Sequence, residues 1–423
     1  MKRKLAALVM AGAMAFSLAA CGGEEAADST SASTSQSTAD ASSASSADSS
    51  SADSAADSSS TSADSSSADS TSTSSESTGE AEIMSTGPNG ETAVNADTLS
   101  LTEEQKEEIR GMGLTAAISM HYGGNDWATA QIQGLTDSFE DLGIELLTTT
   151  DANFSAEQQV SDIENIMTLN PDILISIPVD ATASADAYKR AAEAGITIVF
   201  MDNCPVGMTA GEDYVSVVSA DNYGNGCIAA EILGEALGGA GDIGMVYYDA
   251  DYFVTNQRDQ GFRDTMAEKY PDINIVTEQG FTDENGCSEQ GDAILTQYPN
   301  INGIYASWDI PMEGVLSSVR AAGMEGQIAL STIDLGNNIA LEIANGTVAG
   351  LGAQMPYDQG VAEATLAAMS ILGEECPSYV AVPAKRVDSE NVLDAYKDVY
   401  HVDAPDWLVS AKNGEDVDAS AIQ

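Results

Sequence analysis

From Leu114 onward the chain alternates short apolar runs with amphipathic stretches almost without interruption. That alternation leaves little choice of fold. Apolar runs near 114–120, 143–148, 172–177, 196–202 and 214–219 read as strands. A second set follows near 242–248, 273–278, 302–307, 328–333 and 348–354. Helical periodicity is clearest at 156–169, 181–194, 225–237, 257–269, 310–322 and 357–373. A continuously apolar strand is one buried on both faces, and strand–helix alternation builds parallel sheets, so the spacing predicts an α/β chain. Roughly 300 residues with two sets of strands exceed one core, which predicts two similar lobes. Ahead of them, Thr102 followed by the charged stretch to Arg110 predicts a short capped helix.

The strand ends carry the chemistry. Leu114–Met120 is almost wholly apolar, then breaks into His121, Tyr122, Gly123, Gly124, Asn125, Asp126 and Trp127. Open α/β sheets place small ligands at the carboxyl ends of their strands, although a lone polar residue there is equally well explained as a helix cap. Here the pattern repeats. Later strands run into Asp180, into Asp202-Asn203-Cys204 and, in the second set, toward Arg258. Thr282-Asp283, Trp308-Asp309, Asp334 and Gln354 end the rest. Carboxylates accept hydroxyl protons, a guanidinium donates in a fork, amides do both, and indole rings cover C–H faces. Together these groups suit a sugar, with Trp127 and Trp308 as stacking surfaces. Each stacked face hides about 50–100 Å², worth roughly 1–2.5 kcal/mol. Micromolar affinity needs about 8 kcal/mol, so charge-assisted bonds of about 1.5–3 kcal/mol each must contribute.

The amino terminus reads differently. Met1-Lys2-Arg3-Lys4, an apolar run to Leu18 and Ala19-Ala20-Cys21 describe a signal peptide over 1–20. Leu18-Ala19-Ala20-Cys21 resembles a bacterial lipobox, which implies cleavage before Cys21 and lipidation of its sulfur; two acyl chains anchor stably. The stretch from Cys21 to 95 is Ser, Ala, Thr and Asp with few large apolar residues, which predicts a disordered acidic tether. A net charge of −52 with 15 Lys and Arg gives no basic face, which excludes nucleic acid and disfavours anionic lipid headgroups. Membrane contact is thus expected through the lipid anchor only. Cys204, Cys227, Cys287 and Cys376 lack zinc-ligand spacing, and whether they pair stays open. Gly239–Gly244 fits GxGxxG, but it precedes a strand instead of following one, so the dinucleotide reading fails. His121 and His401, the latter expected exposed in a tail, are the two histidines, and no nucleophile motif accompanies them. Asp249 and Asp251 lack a full calcium loop. No metal, cofactor or catalytic residue is expected.

From about Thr115 to Val387 the chain resembles the ribose-type periplasmic sugar-binding proteins, the solute receptors of ABC importers. The resemblance rests on Asn125-Asp126-Trp127, Ile177–Asp180, Ala194-Gly195-Ile196, Val199–Asp202 and Ser219–Asn222. In the second half it rests on Arg258–Phe262, Ser331–Asp334 and Gln354-Met355-Pro356. It implies the type 1 periplasmic-binding-protein fold: two doubly wound parallel-sheet lobes joined by hinge crossings near Ala220-Asp221, Gln354-Met355 and Pro383-Ala384. The lobes would be 112–220 with 355–383, and 221–354 with 384–400, after a lead-in helix over 96–111 and before a tail over 401–423. The family's pocket maps onto His121, Asn125, Trp127, Asp202, Asn203, Arg258, Thr282, Trp308, Asp334 and Gln354. His121, Asn203, Thr282 and Trp308 depart from the ribose-receptor type; Asn203 replaces an Arg and Trp308 an Asn. The resemblance thus implies a monomeric receptor on the outer face of a Gram-positive-type membrane, handing a small sugar to an ABC permease. A sensor kinase is a further partner it admits. A polyol, nucleoside or furanosyl signal molecule is the alternative ligand, and a hydrolase or lyase using Asp202 and Asp334 the alternative activity.

Overall fold

The computed structural model describes residues 82–417 and Ile422, all within one compact unit, Ser77–Gln423. The expected signal peptide, the expected lipidation site Cys21 and the expected tether as far as residue 81 lie outside the described residues. The first half of the fold contains β1 (Val94–Asn95), α1 (Glu103–Met112), β2 (Thr115–Met120), α2 (Asp126–Asp141), β3 (Glu145–Asp151), α3 (Ala156–Leu169), β4 (Ile173–Ser176), α4 (Ala185–Glu193), β5 (Thr197–Met201) and β6 (Val217–Ala220). There follow α5 (Asn222–Ala236), β7 (Ala240–Tyr248), α6 (Phe253–Lys269), β8 (Asp272–Phe281), α7 (Ser288–Gln297), β9 (Gly303–Ala306), α8 (Asp309–Ala321), β10 (Ala329–Ile333), α9 (Asn337–Ala344) and β11 (Gly350–Ala353). The chain closes with α10 (Pro356–Ile371), β12 (Tyr379–Val382), β13 (Lys385–Asp388), α11 (Val392–Tyr400) and α12 (Asp406–Lys412).

Two sheets result. A 7-stranded sheet has the order β1-β12-β6-β5-β4-β2-β3, and a 6-stranded sheet the order β13-β11-β10-β9-β7-β8. All neighbours are parallel except β11 and β13. The central strands, such as β4 and β5, are largely apolar because both faces are covered, while the edge strands β3, β8 and β13 carry polar residues. Ile118, Ile173, Ile175, Val199 and Val218 pack on one face of the first sheet, and Ala117, Leu174, Ile198, Phe200 and Val217 on the other. The second sheet divides Ile304, Leu330 and Leu351 from Ile243, Met245 and Tyr305 in the same way. The chain crosses between sheets after β6 at Asp221, after β11 at Gln354-Met355 and after β12 at Pro383-Ala384.

Helices next to the crossings pack backbone to backbone, which glycine alone permits. A Cβ on Gly226 would sit 1.9 Å from the Arg258 carbonyl oxygen, and one on Gly261 2.2 Å from that of Tyr223. Helices α5 and α6 are thereby pressed together. In the first lobe Gly134 and Gly360 do the same for α2 and α10, where added Cβ atoms would meet carbonyl oxygens at 2.2 Å and 2.5 Å.

Two segments expected outside the lobes belong to the fold. The tether was expected to run to residue 95, yet β1 joins β12, and Ser85 is 4% exposed. The Ser85 hydroxyl donates to Asp221 Oδ1 at 2.8 Å, and its backbone N–H reaches the same oxygen at 2.9 Å. Met84 N–H donates to Asp221 Oδ2 at 3.0 Å, and Thr86 N–H to Gln257 Oε1 on α6 at 3.1 Å. A polar segment is ordered here by a buried carboxylate far along the chain. The expected tail likewise holds α12, whose Leu408 is fully buried in the second lobe's core. His401 is exposed as expected, but it caps α11, stacks on Tyr357 at 4.0 Å and places Nε2 2.9 Å from Asp358 Oδ1. Thr102 and Gln105 form the capping box that starts α1. The four cysteines from Cys204 to Cys376 are free thiols. Among the described residues no helix is long and apolar enough to cross a membrane.

Candidate ligand-binding site

Nine of the ten expected side chains line one cavity of about 670 Å³ between the lobes. Asn203 does not; it is buried beside the cavity, near Tyr252. The first lobe supplies His121 directly after β2, and Asn125 and Trp127 at the start of α2. Asn125 both caps α2 and lines the cavity: its Oδ1 accepts the Ala128 N–H at 2.8 Å, while its Nδ2 donates to the Tyr122 hydroxyl at 2.7 Å.

Asp202 and Asp334 hold matching places in the two lobes. Each follows a strand, each adopts a left-handed backbone (φ 56° and 70°), and each N–H donates to the neighbouring strand's carbonyl, Val218 or Gly352. A non-glycine residue pays for that conformation, and such strain gathers at functional positions; Asp tolerates it better than most. The turn drives both carboxylates into the cleft instead of along the next helix.

A chain of polar bonds runs along the cavity floor and across the first crossing. Ser219 donates to Asp202 Oδ1 at 2.7 Å, and Asn222 Nδ2 donates to Ser219 Oγ at 2.9 Å. Arg258 Nε donates to Asn222 Oδ1 at 2.9 Å, and Arg258 Nη1 to Asp334 Oδ2 at 3.1 Å. Gln354 Nε2 completes it on Asp334 Oδ1 at 2.8 Å. Burial opposes the Arg258 charge, but Asp334 and Asp202 outweigh it and hold the guanidinium ionised. Burial raises the Asp202 carboxyl to about 6 against the pull of Ser219 and Arg258. Burial also pushes His121 down to about 3, so its ring is neutral.

Several cavity residues were not singled out from the sequence. Tyr122 and Phe154 stack at 4.2 Å, and Tyr248 stands edge-on to Trp308 at 5.6 Å. Glu284 accepts from Trp308 Nε1 at 3.0 Å, which holds the indole in the wall. Asp309 was noted only beside Trp308; burial, then the nearby Asp334, raises its carboxyl well above the usual range. Tyr122, Tyr248 and Asp309 sit at strand ends and obeyed the rule that found the others. Phe154, Tyr252 and Glu284 lie deeper in loops, where no periodicity marks them. Among the described residues no group of three or more His, Cys, Asp or Glu could hold a metal ion.

Away from the crossings the lobes touch directly. Asn337 at the start of α9 donates through its backbone N–H to Asp126 Oδ2 at 2.8 Å and through Nδ2 to Oδ1 at 3.0 Å. His401 meets Tyr357 and Asp358 of α10.

Two α/β lobes on three crossings, enclosing a polar cavity with aromatic walls, define a two-lobed solute-binding protein. The chain belongs to the periplasmic binding protein family, whose domain matches residues 116–375. It is similar to the D-ribose/D-allose-binding protein of Pseudomonas aeruginosa, 26% identical over 238 residues, covering 56% of this chain and 73% of that one. It is similar also to the ribose import binding protein RbsB of Bacillus subtilis, 24% identical over 275 residues, 64% and 86% of the two chains. Among solved structures, an ABC transporter periplasmic solute binding protein from Actinobacillus succinogenes with bound D-allose superposes with a TM-score of 0.62 at 28% identity. That match covers 66% of this chain and 99% of the other. The type 1 fold and the resemblance to sugar receptors of ABC importers therefore hold.

Proposed function

We propose that this protein is a lipid-anchored extracellular receptor that captures a small sugar between its lobes and delivers it to an ABC permease. The observation that carries this reading is the cavity itself. Its floor alternates carboxylate, amide and guanidinium, and its walls are aromatic, which is the pairing a polyhydroxylated ring needs. Its volume of about 670 Å³ falls among small-molecule sites of about 300–1,000 Å³. Lobe closure around the ligand would present the surface a permease reads, a shift between open and closed populations. Lipidation at Cys21 would hold the receptor at the membrane; Cys21→Ala should release the protein into the medium.

Asp334 is poorly placed as a general acid, since Arg258 and Gln354 occupy both its oxygens. The receptor is therefore favoured over a sugar-cleaving enzyme. The test is a thermal-shift screen against pentoses, hexoses, deoxy-sugars, polyols and nucleosides. A sugar at about 100 times its dissociation constant adds about 2.7 kcal/mol of stability. A shift with a sugar recovered chemically unchanged supports the reading. Shifts with polyols or nucleosides alone would keep the receptor and replace the ligand class, and product formation would replace the receptor with an enzyme.

A further inference from the structure

We infer that the ligand carries a protonated amine, making it an amino-substituted sugar or polyol and not its all-hydroxyl parent. This rests on the sugar-receptor reading and sharpens it. The argument begins with a charge mismatch in a shielded space. Asp180, Asp202, Asp283, Glu284, Asp309 and Asp334 line the cavity, while Arg258 is the sole Lys or Arg lining it among the described residues. Arg258 is already committed to Asp334, Asn222 and the Ser307 carbonyl. His121, 6% exposed and neutral, adds no charge. Five carboxyl groups are left without a cation, and burial without one, with Asp334 nearby, is what raises the Asp309 carboxyl well above the usual range.

The bonding of three of them shows what is lacking. Among the described residues, Asp202 uses one oxygen on Ser219, Glu284 one on Trp308 and Asp309 one on the Ile310 N–H. The second oxygen of each receives no hydrogen from the protein. Among buried polar atoms around the cavity, Oε1 of Gln354, 3% exposed, lacks a donor, Nδ1 of His121 has no partner, and Trp127 Nε1 and the Tyr252 hydroxyl lack acceptors. A hydroxyl meets one such acceptor with one hydrogen and brings no charge. An ammonium meets three and cancels one negative charge, which matters most where water is excluded. Aromatic faces complete the fit, since Tyr122, Phe154, Trp127, Tyr248, Tyr252 and Trp308 ring the space and a cation is attracted to such faces.

The test is calorimetric titration of the mature chain at neutral pH with matched sets. Each set holds one ring in three forms: hydroxyl, free amine and N-acetylated amine, as in D-glucose, D-glucosamine and N-acetyl-D-glucosamine. The galactose, mannose and inositol series extend it. The expected result is at least one set in which the free amine binds tenfold or more tighter than both neutral forms. Glu284→Gln, or Asp309→Asn should the first variant melt abnormally, should remove most of that tenfold. If the neutral forms bind as well as the amine in every set that binds, the amine is wrong and the sugar receptor stands. If amine preference survives both variants, these carboxylates are not its cause. Silence across all sets, with a neutral sugar binding in the thermal-shift screen, would overturn the amine and leave the sugar receptor standing.

Discussion

At Arg258 a guanidinium 5% exposed to solvent meets Asn222, Asp334 and the Ser307 carbonyl at once. Removing one partner of a buried ion pair strands the other, at a cost of about 3–5 kcal/mol. Arg258→Met should therefore lower the urea midpoint of the ligand-free protein and abolish any ligand-induced stabilisation; an unchanged midpoint would show that Asp334 finds another donor. Protonation follows with opposite signs at two neighbours. Asp202, raised to about 6 by burial, keeps in the folded chain a proton that the unfolded chain loses near pH 4. Its contribution to stability thus falls as pH rises from about 4 to 6, by about 2–3 kcal/mol. Asp259, also buried and raised to about 6, adds a slope of the same sign. His121, held neutral down to about 3, does the reverse: the unfolded chain takes up a proton below about 6.5, so stability falls as pH falls. Urea midpoints across pH 4–7 should show Asp202→Asn gaining on the wild type as pH rises. His121→Gln should gain as pH falls, and parallel curves would refute both assignments.

Among the elements, the segment before β1 changes what the amino-terminal region is expected to do. Residues 84–86 bond to Asp221 at the first crossing and to Gln257 on α6, so they tie the sheet of one lobe to a helix of the other. Ser85 also accepts the Tyr223 N–H at 2.9 Å, and losing its hydroxyl leaves buried partners unmet at about 1–3 kcal/mol. Ser85→Ala should lower the melting temperature measurably. A deletion of residues 24–90, harmless if the tether ran to residue 95, is now expected to destabilise the domain. A deletion of 24–81 should not, and equal melting of the two deletions would show the segment to be passive. Sequence reasoning missed this because Ser85-Thr86-Gly87-Pro88-Asn89-Gly90 is locally a loop; its order comes from a carboxylate more than a hundred positions away.

For the whole molecule, the bond pair between Asn337 and Asp126 joins the lobes without touching the cavity floor. Any ligand that requires the lobes together gains from such a contact, because it favours the binding-competent state. Asn337→Ala should weaken binding about five- to tenfold, roughly 1–1.4 kcal/mol, with the pocket intact. Small-angle scattering should show the ligand-free variant more open than the wild type. Unaltered affinity would make the contact incidental to closure.

The sequence by itself determined the two α/β lobes, because strands such as Ile173–Ser176 and Ala329–Ile333 are apolar on both faces and only a doubly covered parallel sheet tolerates that. It also pointed to most of the residues that line the cavity. A strand's carboxyl end is a place the fold reserves for ligands, so Asp202, Asp334 and Gln354 could be found by position along the chain. Tertiary structure decided what position cannot encode. It set Asn203 beside the cavity instead of in it, and it swung Glu284 out of a loop to hold Trp308. It also bonded Asp221 to Ser85. Each of these depends on which distant groups share a shielded space. That is settled only when the lobes pack, because only then does water leave and an unpaired charge or hydrogen bond acquire its cost.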